Sequence, residues 1–133
     1  MKFYFDENFA PVIAHSLKSL EDTRQDNIEV LNISDAFGPG SKDEIWIPEV
    51  ARNNGVVITQ DLNIHRSRQQ RDLYRQYKLG VIFIKPPSKN PYTFWDLVEQ
   101  VFINWKEIKI ISEREKKPFA FILRPRSKHI EPL

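Results

Sequence analysis

Apolar residues fall along this chain in two rhythms. Short unbroken runs, Phe3-Tyr4-Phe5, Val56-Val57-Ile58 and Val81-Ile82-Phe83-Ile84, alternate with longer segments in which apolar positions recur every three or four residues. The runs have the length and β-branched or aromatic content of strands buried on both faces, as in a parallel sheet. The periodic segments read as amphipathic helices. Val12, Ile13, Leu17 and Leu20 mark the first of these, with Pro11 in its opening turn. Ile28–Ile33 alternates apolar with polar residues as a half-buried strand does, and the Gly- and Pro-rich stretch from Asp35 to Ser41 is expected as an exposed loop.

Ser41 is then positioned to cap a second helix, with Glu44 completing a capping box and Pro48 inside it, until Asn53-Asn54-Gly55 ends it. An arginine-rich helix over 65–78 is expected to carry Leu73 and Tyr77 on one side and Arg68, Arg71 and Arg75 on another. Three prolines between Lys85 and Pro91 allow neither helix nor ladder. Thr93 caps the longest helix, whose stripe Phe94, Val98, Val101, Trp105 and Ile108 is widened by Trp95 and Phe102. Phe119–Leu123 is the last expected strand. Strict alternation of strand and helix selects a single three-layer α/β/α sandwich around a mostly parallel sheet of about five strands. One domain is expected over residues 1–126, with 127–133 a basic tail.

Composition narrows the chemistry. The 133 residues include 20 Lys and Arg against 18 Asp and Glu, a mildly basic balance that permits a nucleic-acid partner without requiring one. With no cysteine, disulfides and thiolate metal sites are excluded, and the three scattered histidines do not form a ligand cluster. No apolar stretch approaches a membrane span and no secretory leader opens the chain, so a cytoplasmic protein is expected.

The acidic residues carry the chemical signal. The first apolar run leads directly into Asp6-Glu7-Asn8, and the third strand leads through Thr59 and Gln60 into Asp61. The helix begun by Asp43-Glu44 should start at the same carboxyl edge of the sheet, where open α/β folds place their ligands. Carboxylates gathered at one point repel each other unless protons or a cation neutralise them. An all-oxygen site of this kind suits Mg²⁺ or Mn²⁺, usually completed by phosphate oxygens, and implies metal-assisted hydrolysis of a phosphodiester. Each acid also has a plainer use: Asp43 and Glu44 suit the dipole of a helix N-terminus, and Asn8 can cap the first helix. Glu7 is a weaker candidate ligand, while Asn8, Thr59, Asn63 and His65 are candidates to support the acids by hydrogen bonds. Arg66, Arg68, Arg71 and Arg75 follow Asp61 closely and are candidate RNA contacts, although an arginine run also serves as a solvated helix face.

Taken in order, Phe5-Asp6-Glu7-Asn8, Asp43-Glu44-Ile45-Trp46 and Ile58-Thr59-Gln60-Asp61 resemble the acidic motifs of PIN-like nucleases. The likeness covers residues 2–85 and is greatest to a small branch opening with a strand and Asp-Glu-Asn, whose members occur as toxins or suspected toxins of VapC-type toxin–antitoxin pairs. The resemblance implies a Rossmann-like fold, Mg²⁺- or Mn²⁺-dependent endoribonuclease activity and inhibition by a cognate antitoxin. By position, Asp6, Asp43 and Asp61 match the metal ligands, with Glu44 a rival to Asp43. Many PIN nucleases carry a fourth acid soon after the third; here Leu62-Asn63-Ile64-His65 follows, so one metal rather than two is the expectation.

Two other readings stand beside this one. A non-catalytic module would bind RNA or protein through the arginine helix and tail. A phospho-acceptor receiver also pairs acids after its first strand with a later Lys-Pro like Lys85-Pro86, but a single helix and strand separate Asp61 from Lys85, which is too little chain. The broad aromatic stripe of the longest helix further anticipates a homodimer or an antitoxin as cover.

Overall fold

A computed structural model describes residues 1–62 and 68–133. The elements in chain order are β1 (Lys2–Phe5), α1 (Pro11–Glu21), β2 (Glu29–Asn32), α2 (Ile33–Phe37), α3 (Asp43–Arg52), β3 (Val56–Thr59), α4 (Arg68–Gln76), β4 (Gly80–Ile84), α5 (Phe94–Arg114), β5 (Phe119–Leu123) and β6 (Ile130–Pro132). The strands form one sheet in the order β2-β1-β3-β4-β5-β6, parallel throughout except for β6, which runs antiparallel to β5. The fold is the three-layer α/β/α sandwich expected from the alternation.

Because side chains alternate across a strand, each buried run feeds two cores. Phe3, Phe5, Val56, Ile58, Ile82 and Ile84 face one way and pack with Ile13 and Leu17 of α1 and Val101, Trp105 and Ile108 of α5. Tyr4, Val57, Val81 and Phe83 face the other and meet Ile33, Trp46, Ile47, Val50 and Tyr74, contributed by α2, α3 and α4. The two helices of the first face, α1 and α5, are tied by more than apolar contact. Glu21, at the end of α1 and only 6% exposed, accepts hydrogen bonds from Trp105 Nε1 at 2.7 Å and Lys109 Nζ at 2.6 Å, both on α5.

Several local expectations are corrected. The short helix α2 takes the expected end of the second strand, Ile33, and the start of the expected loop, Asp35–Phe37, because the Asn32 side chain caps it by accepting from the backbone N–H groups of Ser34 and Asp35 while Ile33 is buried. Ser41 does not cap α3: Lys42 holds the N-cap position without a side-chain bond. At the other end of α3 the left-handed residue is Asn54 (φ 55°), and Gly55 is needed for a different reason, since a Cβ there would lie 2.7 Å from the Tyr4 ring. Residues 130–132, within the segment read as a tail, make the short edge strand β6. The Thr93 cap of α5 holds, with the reciprocal Thr93–Asp96 box in place. Its stripe is shifted, however: Val101, Trp105, Ile108 and Ile111 are buried, whereas Phe94 is exposed and Trp95 is 73% exposed. Among the described residues no helix is long and apolar enough to cross a membrane.

Candidate active site

The chain steps from β1 outward to β2, then returns to lay β3 on the opposite side of β1. The carboxyl ends of β1 and β3 therefore border the point where the strand order reverses, the crevice in which open α/β sheets bind ligands. Asp6 follows β1 and Asp61 follows β3 at this point.

Thr59, the last residue of β3 and fully buried, joins the two segments. Its hydroxyl donates to Asp6 Oδ2 at 2.8 Å and accepts from the Asp61 backbone N–H at 3.0 Å. Asn8 Nδ2 lies 3.4 Å from Asp6 Oδ2 and 3.2 Å from Thr59 Oγ1. Asn8 is laced further to β3, accepting from the Gln60 backbone N–H at 3.3 Å and, through its own carbonyl, from Gln60 Nε2 at 2.8 Å. It therefore supports Asp6 and does not cap α1, whose N-cap is Ala10. The second carboxylate oxygen, Asp6 Oδ1, accepts the backbone N–H of Glu7 at 2.7 Å.

Burial raises the Asp6 carboxyl above the usual carboxylate range, and the negative charges of Asp61 and Asp43 push in the same direction, against the hydrogen bonds from Thr59 and Glu7. Asp43 and Asp61 thus each lie within electrostatic reach of Asp6, as the crossover topology anticipates. Asp43 opens α3 and is held at both oxygens, by Trp46 Nε1 at 3.1 Å and Gln70 Nε2 at 2.6 Å. Glu44, its rival, is exposed. Glu7 is exposed and its Oε1 accepts the Gly40 backbone N–H at 2.8 Å, tying down the loop before α3.

A residue that the pattern of α4 did not disclose lies beside these acids. Tyr74 is only 7% exposed, its hydroxyl is buried without a hydrogen-bond partner, and its ring centroid lies 6.4 Å from that of Trp46. Burial, reinforced by the charges of Asp43, Asp6 and Asp61, drives its phenol pKa far upward, so the hydroxyl keeps its proton. The expected apolar pair Leu73 and Tyr77 is less buried, with Tyr77 on the surface. Arg68, Arg71 and Arg75 lie on α4, Arg71 half-buried with its Nε lacking a hydrogen-bond partner. Asn63, His65 and Arg66, named as candidates from the sequence, lie outside the described residues.

The donor chemistry fits a hard divalent cation: carboxylates predominate, and a cation would relieve the negative charges of Asp61 and Asp43 that add to burial in raising the Asp6 pKa. Among the described residues no three His, Cys, Asp or Glu side chains form a ready-made ion cage. A magnesium ion does not need one, because it keeps several waters and takes one or two carboxylates together with substrate phosphates.

Comparison with known proteins agrees with this geometry: a family model described as a PIN like domain matches residues 1–86, which include β1 to β4 and all three acids. No curated protein and no solved structure matches the chain.

Proposed function

The chain belongs to the PIN-like domain family, and from that premise we propose that it is a metal-dependent endoribonuclease that hydrolyses RNA phosphodiesters and acts as the VapC-type toxin of a toxin–antitoxin pair. The observation that carries the reading is the convergence of Asp6, Asp61 and Asp43 on the switch point of the sheet, with Asp6 half-buried among like charges.

In this reading Asp6 and Asp61 hold Mg²⁺ or Mn²⁺, with Asp43 the third candidate ligand. When bound, the ion supplies polarisation of the phosphoryl oxygen and a water that ionises near neutral pH. Thr59 and Asn8 fix the Asp6 carboxylate, and Trp46 and Gln70 fix that of Asp43, so that neither must be ordered when substrate arrives. Arg68, Arg71 and Arg75 offer guanidinium groups to the backbone phosphates on either side of the cleaved bond. Cytoplasmic location, an antitoxin partner and a homodimer complete the proposal.

A non-catalytic binding module is the second reading, favoured by the commitment of both Asp43 oxygens to Trp46 and Gln70. Expression in a bacterial host separates the two. A toxin arrests growth, and both Asp6→Asn and co-expression of the neighbouring reading frame relieve the arrest; equal arrest by parent and Asp6→Asn contradicts the nuclease reading.

A further inference from the structure

Beside α4, over the β4–β5 half of the sheet, lies a groove of about 220 Å³. Its walls are the side chains of Tyr74, Val81, Phe83, Phe119 and Ala120, and Arg71 and Arg75 stand along its rim one helical turn apart. The space is below the roughly 300–1,000 Å³ of pockets for drug-sized ligands, which suits a smaller, planar group. The groove is connected to the acids through contacts already described: Asp43 accepts from Trp46, and Trp46 packs on Tyr74, the groove's inner wall. From Phe83, level with Thr59, the groove runs toward the amino ends of β4 and β5, where Leu79 and Pro118 line it.

Among the described residues no Asp or Glu side chain lines the groove, while two guanidinium groups and Leu133 do, and both the Arg71 Nε and the Tyr74 hydroxyl are buried without a partner. Unpartnered donors beside an apolar slot call for a ligand with acceptor atoms and an apolar, flat body. We propose that this groove receives a nucleotide flanking the cleaved phosphodiester in the bound strand, its base lodged against Val81, Phe83 and Ala120 and its phosphate on Arg71 and Arg75, an inference that rests on the RNA-cleaving reading of the acids at the carboxyl edge. Charge complementarity favours this occupant over an acid-poor protein segment, and apolar walls accept any base face.

The test is binding without cleavage. A single-stranded oligoribonucleotide carrying one 2-aminopurine is titrated with the full chain in EDTA, following both affinity and 2-aminopurine fluorescence, with parent, Arg75→Ala and Ala120→Leu proteins whose urea midpoints show them folded. Parent protein quenches the fluorophore as the base is lodged, while Arg75→Ala, at an exposed position, and Ala120→Leu, which fills the groove, each weaken binding about tenfold. Undiminished binding by both variants, or a fluorophore as bright when bound as when free, overturns the proposal and leaves the groove to a protein partner. An Asp6→Asn protein run alongside keeps the two readings apart. Normal quenching by an Asp6→Asn protein that cleaves RNA like the parent in Mn²⁺ refutes only the acid site, whereas lost quenching by a parent that cleaves refutes only the groove.

Discussion

Thr59 and Asp6, 53 positions apart in sequence, are joined by a hydrogen bond of 2.8 Å from the threonine hydroxyl to the aspartate Oδ2. The same hydroxyl accepts the Asp61 backbone N–H, so one side-chain oxygen sets the positions of two candidate ligand segments. Thr59→Val keeps the shape and removes both bonds. Leaving a buried acceptor and an N–H unsatisfied should cost about 1–3 kcal/mol in urea unfolding, and Thr59→Ser should recover most of it. Equal stability of Thr59→Val and parent would show that water replaces the hydroxyl.

Asp6 has a folded-state pKa above its unfolded value, with burial as the first cause and the charges of Asp61 and Asp43 behind it. Such a group stabilises the fold only while protonated. Its contribution is present below the unfolded pKa and is lost as pH rises through the raised folded pKa, so the carboxyl weakens the fold above that pKa relative to below it. Asp6→Asn should therefore unfold at a higher temperature than parent at pH 7 in EDTA, with the difference shrinking toward pH 4. Thermal scans at the two pH values check this, and a variant that gains nothing at pH 7 contradicts it. The trade of stability for a charged site is common at functional centres.

Metal should reverse that penalty. At a concentration about 100 times its dissociation constant, Mn²⁺ or Mg²⁺ should add about 2.7 kcal/mol to the parent's stability. Calorimetry should show no such gain for Asp6→Asn, and an equal gain would place the ion elsewhere.

Asp43 should depend on its two holders. Trp46→Phe and Gln70→Ala each free one carboxylate oxygen. Partners of this kind typically contribute about 10–100-fold to metal affinity or activity, and that loss is expected here in Mn²⁺ titration and in RNA cleavage. Unchanged values in both variants would make Asp43 a helix-terminal acid only.

Away from the site, Lys109→Met leaves the buried Glu21 carboxylate with Trp105 as its remaining donor and should cost on the order of 3 kcal/mol. Adding Glu21→Leu should restore most of it, which urea unfolding of the single and double variants measures. A double variant as unstable as the single one would show that the loss is one of packing rather than of stranded charge.

Much of this was legible in the sequence because the signals were local. The runs Phe3–Phe5, Val56–Thr59 and Gly80–Ile84 are buried on both faces and so are apolar without interruption, and the Thr93–Asp96 box lies within four residues. What stayed hidden depends on partners distant in sequence. Tyr74 sits in Arg-Gln-Gln-Arg-Asp-Leu-Tyr-Arg-Gln, a helix in which it alone is buried among the described residues, so no apolar period marks it. Asn8 has the chemistry of a helix cap, yet Thr59 and Gln60 offer it better bonds across the sheet. Strand β6 has three residues including a proline, tolerated because it lies at the sheet edge.

The most direct test of the acidic site is cleavage of single-stranded RNA in Mn²⁺ by the parent, Asp6→Asn and Asp61→Asn proteins. The parent should cleave, EDTA should stop it, and each substitution should lower the rate at least about 100-fold while leaving the protein folded. Substituted proteins that cleave as fast as the parent would contradict the assignment.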